Sequence, residues 1–138
     1  MIKWVFDEEY QKWRTNRLAQ CEIRYKSFVS VQRKSNKADR NYGQIKVILS
    51  TEIVKTSGFT NRVFLGYDEE KNELLIKGTI DEKGLKLCKA SKNGCKMLLI
   101  CCTRFFTYCG IADTIEPDRY FAKVDNDGII HVDFNTKV

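Results

Sequence analysis

Lys46-Val47-Ile48-Leu49-Ser50-Thr51-Glu52-Ile53-Val54-Lys55-Thr56-Ser57-Gly58-Phe59 combines an apolar strand, a small polar residue, a short helical stretch, a glycine and a further apolar residue. The same order returns at a constant offset in Leu98-Leu99-Ile100-Cys101-Cys102-Thr103-Arg104-Phe105-Phe106-Thr107-Tyr108-Cys109-Gly110-Ile111. Chance similarity between two apolar strands is the alternative, but the matched glycines favour an internal repeat.

A predicted hairpin follows each copy. In each, two apolar segments flank a polar turn: Arg62–Asp68 and Leu74–Ile76 around Glu69–Asn72, and Arg119–Asp125 and Ile130–Val132 around Asn126–Gly128. A further strand precedes each copy, because apolar residues alternate over Cys21–Gln32 and again at Leu85 and Leu87. Each half is therefore predicted to be a β-β-α-β-β unit.

These elements predict an α+β fold that is mostly β, in which the duplicated β-β-α-β-β units form a pseudo-twofold, barrel-like core. The chain, residues 1–138, is expected to be a single compact domain, with an N-terminal helix at 7–20, the first repeat unit at 21–78 and the second at 83–134. Ser50 is a good N-cap for the first short helix, and Gly58 and Gly110 are suited to end the two helices. Cys102, in the second N-cap position, is a poorer cap.

The predicted N-terminal helix carries Phe6, Tyr10 and Trp13 on one stripe. This stripe would be buried either against an open edge of the barrel or against a second chain, which would give a homodimer. The sequence leaves both alternatives open.

No segment has the length and apolarity of a membrane span, since the most apolar run, Met97–Cys102, is far too short. The N-terminus reaches Asp7 too soon to contain the apolar region of a signal peptide. We therefore expect a cytoplasmic protein without membrane contact. In that reducing compartment the six cysteines are not expected to form structural disulfides.

The cysteines are expected to be small buried side chains, because free cysteine is among the most buried residue types and no C-x-x-C pair occurs. Zinc binding and thiol chemistry remain as alternatives. Cys102 would be the reactive thiol, since a helix N-terminus lowers a thiol pKa, and His131, the single histidine, would be its base. No third group in the sequence orients His131, and no phosphate-binding glycine loop occurs. We therefore predict no enzyme, no catalytic residue, no metal site and no cofactor.

The formal net charge of +6 is unevenly distributed along the chain. Between Tyr10 and Gly66 there are 12 basic residues and three acidic ones, and from Lys83 to Arg104 six basic residues and no acid. From Asp113 to Asp133 six acids face two basic residues. A basic body favours a polyanionic partner, whereas an acidic C-terminal strip favours a cationic one.

Two basic loops are the candidate contact sites. The first is the long polar loop at 33–42, and the second is the predicted turn at 89–94, between Lys86 and Lys96. If the halves pack about a pseudo-twofold axis, the loops are related by that axis and could straddle a duplex backbone. The six residues predicted to bind nucleic acid are Arg33, Lys34, Lys37, Arg40, Lys89 and Lys92. Solvated surface loops are the alternative interpretation.

The run from Ile45 to Phe59, followed by Arg62–Lys77, resembles the swapped-hairpin units of AbrB- and MraZ-type DNA-binding proteins. The resemblance covers about half of the chain, and it extends to small bacterial and phage proteins built from two such units. It implies two interlocked units forming one barrel, with basic residues of one face contacting DNA. The Asp-x-x-x-Arg motif of MraZ-like repeats is replaced here by Arg40 and Gln44 in one copy and by Ser91 and Cys95 in the other.

We therefore predict a non-enzymatic DNA-binding regulator or accessory protein that acts through its basic loops. The alternative is a phage or mobile-element protein that binds and inhibits a host defence or nucleic-acid-processing protein. This alternative rests on the acidic C-terminal strip, whose charge is opposite in sign to that of the basic body.

Overall fold

The computed structural model describes residues 4–12, 28–40, 42–59, 61–92 and 95–138. Within them the chain is mostly β, with one sheet that closes almost into an antiparallel barrel. The strands are β1 (Phe28–Arg33), β2 (Ile45–Ser50), β3 (Arg62–Asp68), β4 (Glu73–Thr79), β5 (Leu85–Lys86), β6 (Cys88–Lys92), β7 (Cys95–Cys101), β8 (Arg119–Val124) and β9 (Ile130–Lys137). The helices are α1 (Thr51–Ser57) and α2 (Thr103–Tyr108).

Around the barrel the strands follow the order β5-β3-β4-β9-β8-β1-β2-β7-β6, and every pairing between described strands is antiparallel. Four hairpins supply the wall: β1–β2, β3–β4, β6–β7 and β8–β9. Three pairings join hairpins that are distant in sequence: β1 with β8, β2 with β7 and β4 with β9. Since the sheet is nearly closed, the β2–β7 and β4–β9 pairs lie on opposite sides of the barrel. We call strands β1, β2, β7 and β6 the β2–β7 wall, and strands β3, β4, β9 and β8 the β4–β9 wall.

The short helices begin and end where the sequence predicts. Ser50 is the N-cap of α1, and its hydroxyl accepts a hydrogen bond from the Ile53 amide at 3.1 Å. Cys102 precedes α2 and forms no side-chain cap bond. Gly58 and Gly110 have φ of 72° and 74°, the left-handed conformation that lets the chain leave each helix.

Alternate residues of β2, β4, β8 and β9 fill the barrel. The β2–β7 pair contributes Val47 and Ile100, both fully buried, and an aromatic group lies towards the C-terminal end of β9. There Tyr120 and Phe106 pack edge-on against Phe134, with ring centroids 5.2 Å and 6.1 Å away.

The prediction of a mostly β, barrel-like fold is confirmed. Helical residues at 8–12 agree with the start of the predicted N-terminal helix, but the rest of that helix and the predicted strand segment at 21–27 lie outside the described residues. Phe6 and Tyr10 are exposed at 74% and 37%, so these two side chains are not buried against the barrel, and Trp13 lies outside the described residues. Burial of the stripe against a second chain stays a prediction. In the described part of the chain, no helix has the length and apolarity needed to cross a membrane.

Candidate functional site

The loop between β1 and β2 carries four of the six predicted DNA-binding residues. Arg33 ends β1 and is half-buried, while Lys34, Lys37 and Arg40 are exposed. Main-chain hydrogen bonds order the loop, since the Lys34 amide donates to the Gln44 carbonyl at 3.0 Å and the Gly43 amide donates back to the Lys34 carbonyl at 2.9 Å. The described part of this long polar loop therefore contains hydrogen-bonded turns.

One of these loop cations has an internal partner. Lys34 Nζ lies 3.5 Å from Asp39 Oδ2, and both side chains are at least 30% exposed. Such a surface pair contributes at most about 1 kcal/mol to stability, so it does not prevent Lys34 from contacting an external anion.

The second basic segment differs from the prediction. Lys89 and Lys92 were expected in a turn, but both belong to β6, which pairs with β7 from Cys88 opposite Leu99 to Lys92 opposite Cys95. The ladder continues because only residues 93 and 94 separate the two strands. Those two residues lie outside the described residues, as does the side chain of Lys92.

Register places the two basic hairpin tips at opposite ends of the β2–β7 wall. Lys46, next to the first loop, pairs with Cys101 at the end of β7, whereas Cys95 begins β7 beside the second tip. The seven residues of β7 span about 24 Å at the usual rise of a strand. The structure thus brings the six residues to one wall. The four residues of the first loop lie at one end and Lys92 lies at the other, whereas Lys89, opposite Leu98, lies at the middle of β7.

Charge differs between the two walls. The β1–β2 and β6–β7 hairpins, residues 28–50 and 88–101, contain eight basic residues and one acidic residue. The β3–β4 and β8–β9 hairpins, residues 62–79 and 119–137, contain six basic and seven acidic residues. The asymmetry along the sequence therefore becomes a difference between opposite sides of the barrel.

A histidine–carboxylate cluster on the β4–β9 wall was missed by the sequence reasoning. His131, on β9, has its Nδ1 against Glu73 Oε1 of β4, and its Nε2 lies 2.7 Å from Asp125 Oδ2, just after β8. The three side chains are 24%, 16% and 32% exposed, respectively. Leu75 of β4 and Lys123 of β8 are the register partners of His131 on its two neighbouring strands.

This environment favours the imidazolium form. Burial lowers the pKa of His131, but the hydrogen bonds and charges of Asp125 and Glu73 outweigh burial, so the pKa is raised above its ordinary value. The hydrogen bond from His131, helped by the Ile129 amide, lowers the pKa of the Asp125 carboxyl. Both ring nitrogens contact carboxylates, so the cluster is an ionic clamp between strands.

The repeat predicted from the sequence could have revealed part of this cluster. In that prediction Leu75 is the counterpart of His131, and the two residues lie opposite each other on β4 and β9. Glu73 is two residues from Leu75 on the same strand face. Asp125 was assigned to the end of the segment Arg119–Asp125, so its contact with His131 was not predicted.

The expectation for the cysteines is partly wrong. Cys102 is buried at 2% exposure, but Cys88 and Cys101 are exposed. Cys101 and Cys102 point to opposite sides, as their adjacency predicts. Cys21 and the side chain of Cys95 lie outside the described residues.

The reactive-thiol alternative is wrong for Cys102. Burial, followed by the neighbouring Cys101, raises the pKa of Cys102 to about 12, so the thiol stays protonated at neutral pH. The helix N-terminus does not overcome the loss of solvent. Its supposed base, His131, is held between two carboxylates instead. Among the described residues, no group of three or more His, Cys, Asp or Glu side chains is arranged to hold a metal ion.

Comparison with known proteins adds no relative, since no family model, no curated protein and no solved structure matches the chain.

Proposed function

We propose that the protein binds duplex nucleic acid, most directly DNA, through the β2–β7 wall. The observation that supports this function is the concentration of basic residues on that wall, eight against one acid, while the opposite wall is close to neutral. Phosphates attract such a surface without base-specific contacts, and binding releases the counterions that surround DNA. The basic hairpin tips at the two ends would contact phosphates, and Lys46 adds a further cation beside the first tip.

The spacing of the tips is compatible with a duplex. A wall of about 24 Å, extended at each end by loop side chains, approaches the roughly 34 Å of one helical turn. The two tips would then reach phosphates on successive parts of the backbone, while the strands between them face the groove.

We also propose that the two halves are copies of one β-β-α-β-β unit, in the manner of the AbrB-type swapped-hairpin fold. Hairpins of the first and second halves alternate around the barrel, as interlocked units require. Val47 and Ile48 pair with Ile100 and Leu99, respectively, so the repeat offset gives a local twofold axis between the two pairs. Asp68 and Asp125, matched in the repeat, each accept amide hydrogen bonds from their own turn.

The inhibitor alternative has less support from the contacts. Acids of the C-terminal strip are engaged within the molecule, since Asp125 contacts His131, and Lys137 contacts both Glu116 and Asp118. These carboxylates are less available to imitate phosphates for a host protein. Recovery of a protein partner from nuclease-treated lysate, with no DNA binding by the pure protein, would favour this alternative.

Titration of a labelled duplex at several salt concentrations tests the DNA-binding proposal. The test variant replaces three exposed loop cations with glutamine: Lys34, Lys37 and Arg40. The matched control makes the same change at three exposed cations of the β4–β9 wall: Lys71, Lys77 and Lys123. Both variants lose the same formal charge, so a difference between them reports position.

The test variant should bind more weakly, and the slope of log K against log salt should fall by about 0.9 for each phosphate that the protein no longer neutralises. The control should keep most of the affinity and slope. If affinity decreased equally in the two variants, net charge rather than the position of the cations would explain the effect. An absence of binding at low salt would refute the proposal.

A further inference from the structure

A groove of about 500 Å³ opens between β3 and the start of α2. It forms because β5 pairs with β3 only at Arg62 and Val63. From Phe64 onward, β3 pairs only with β4 among the described residues. The barrel wall is therefore interrupted beside α2, and the interruption leaves a concave surface of the size typical of small-molecule sites.

The lining of this groove is mainly apolar. Leu65 and Phe105 pack against the core from its two sides, while Phe64 and Leu85 are 40% and 38% exposed at its edge. Polar groups come from the Thr103 hydroxyl and the Gln44 amide, both already hydrogen-bonded, to the Ile45 amide and to Cys101 Sγ, respectively. Such a lining favours an apolar body in the groove over a fully hydrated one.

The charged residues that line the groove are all basic. Lys83 and Arg104 line it and are exposed, and no lining residue is Asp or Glu. Neither cation forms an ion pair with any residue that the structure describes. Two unneutralised cations beside an apolar surface attract a molecule that is anionic at one end and apolar over the rest.

We propose that this groove binds a small amphiphilic anion, with a carboxylate or phosphate head and one apolar chain or ring. The head pairs with Lys83 and Arg104, and the body lies against Leu65, Leu85 and Phe105. The groove borders the β2–β7 wall at Cys101, but its two cations are not among the six predicted DNA-binding residues. Its test contains no nucleic acid, so either proposal can fail alone.

Cys101 provides a reporter inside the groove. Its thiol is exposed and lines the groove, so a bound ligand should shield it from an alkylating reagent. Cys88 is also exposed but does not line the groove, so it serves as an internal control in the same sample. Peptide mapping by mass spectrometry follows the alkylation rate of each cysteine separately.

The probes are decanoate, decanol and decyltrimethylammonium, which share a chain and differ in head charge. Decanoate should slow iodoacetamide labelling of Cys101 several-fold and leave the labelling of Cys88 unchanged. Decanol should protect less and the cation least. Equal protection by all three probes would overturn the charge argument, and absence of protection by decanoate would overturn the site. Protection by an acidic peptide, with none by decanoate, would also overturn it by indicating a peptide groove.

A charge variant separates the head contact from general hydrophobic binding. The double variant Lys83→Gln and Arg104→Gln should weaken decanoate binding about tenfold, because an exposed ion pair contributes up to about fivefold in affinity. Its decanol binding should stay unchanged, as should both affinities in the matched control Lys71→Gln and Lys77→Gln. Both test positions are exposed, so the fold should be retained, and an unchanged decanoate affinity would refute the proposal.

Discussion

Replacing His131 with leucine should make the stability of the protein depend on pH in a defined way. The substitution removes both hydrogen bonds of the ring, to Glu73 and to Asp125, and leaves the two carboxylates without their shared cation. Leucine already occupies the opposite position, Leu75, so the strand should tolerate the side chain. Because the chain contains one histidine, titration near neutral pH reports this residue.

The expected destabilisation follows from these hydrogen bonds and their exposure. A hydrogen bond to a charged group contributes about 1.5–3 kcal/mol when well buried. With His131 24% exposed and Asp125 32% exposed, the low end of that range is the better guide. We therefore expect the free energy of unfolding to fall by about 2 kcal/mol near pH 6.

The pH dependence follows from the direction of each pKa change. The pKa of His131 is raised above 6.5 in the folded state, so its stabilisation is complete below that value and is lost as pH rises through the raised pKa. The pKa of Asp125 is lowered below 3.8, so its stabilisation is present above that value and is lost as pH falls through the lowered pKa. The difference between wild type and variant should therefore be largest from about pH 4 to 6.5 and shrink on both sides.

Urea unfolding followed by circular dichroism, at intervals from pH 3 to 9, measures this difference. Asp133→Asn is the control, because Asp133 lies on the same strand but accepts hydrogen bonds from the Asn135 amide and the Thr136 hydroxyl rather than from His131. The difference in free energy of unfolding between wild type and Asp133→Asn should change little between pH 6 and 9. A His131→Leu deficit that is the same at pH 6 and pH 9, or larger at pH 9, would refute the clamp.

Three further predictions concern local structure. Gly128→Ala should destabilise the protein by about 1–3 kcal/mol more than Gly110→Ala. Both glycines have positive φ, but a Cβ at Gly128 would lie 2.6 Å from the Ser57 carbonyl oxygen, whereas a Cβ at Gly110 would meet open space. Equal destabilisation of the two variants in urea unfolding would contradict the close approach. Ser50→Ala should cost about 1 kcal/mol by the same assay through removal of the α1 cap, and an unchanged midpoint would argue against that bond. Cys102 should resist iodoacetamide at pH 8 in the native protein and react after unfolding, because its pKa is about 12; mass spectrometry showing native labelling at a free-thiol rate would contradict its burial.

Much of the fold can be predicted because its signals are local. The apolar segment Arg62–Asp68 predicts β3, the polar run after it predicts the turn, and Ser50 and Gly58 delimit α1. The closure of the barrel is not local, since β1–β8, β2–β7 and β4–β9 join strands from different halves of the chain. The short length of β5 could not be predicted either, because it depends on how far β5 stays paired with β3.

The candidate sites were harder to predict for the same reason. Basic residues can be counted in a sequence, but only the strand order shows that they share one wall. Lys89 was expected in a turn because the turn predicted around Asn93 and Gly94 was too long. In the structure the pairing of β6 with β7 extends to Lys92. The exposed thiol of Cys101 was missed because general burial statistics cannot show which side of β7 faces the interrupted wall.

The proposed duplication, together with the charge difference between the two walls, bears on how the histidine clamp arose. At the β2–β7 seam, apolar residues meet near the local axis, and at the β4–β9 seam Leu75 meets His131. Asp68 and Asp125 each accept a hydrogen bond from the amide two residues further on, so both halves have a carboxylate at this corner. On the duplication proposal, the clamp needs two features that break the symmetry: a histidine where the other copy has Leu75, and the acid Glu73 across the seam. Because the histidine adds a cation where acids cluster, it stabilises the near-neutral wall without adding charge to the basic β2–β7 wall, which is the surface proposed to contact a polyanion.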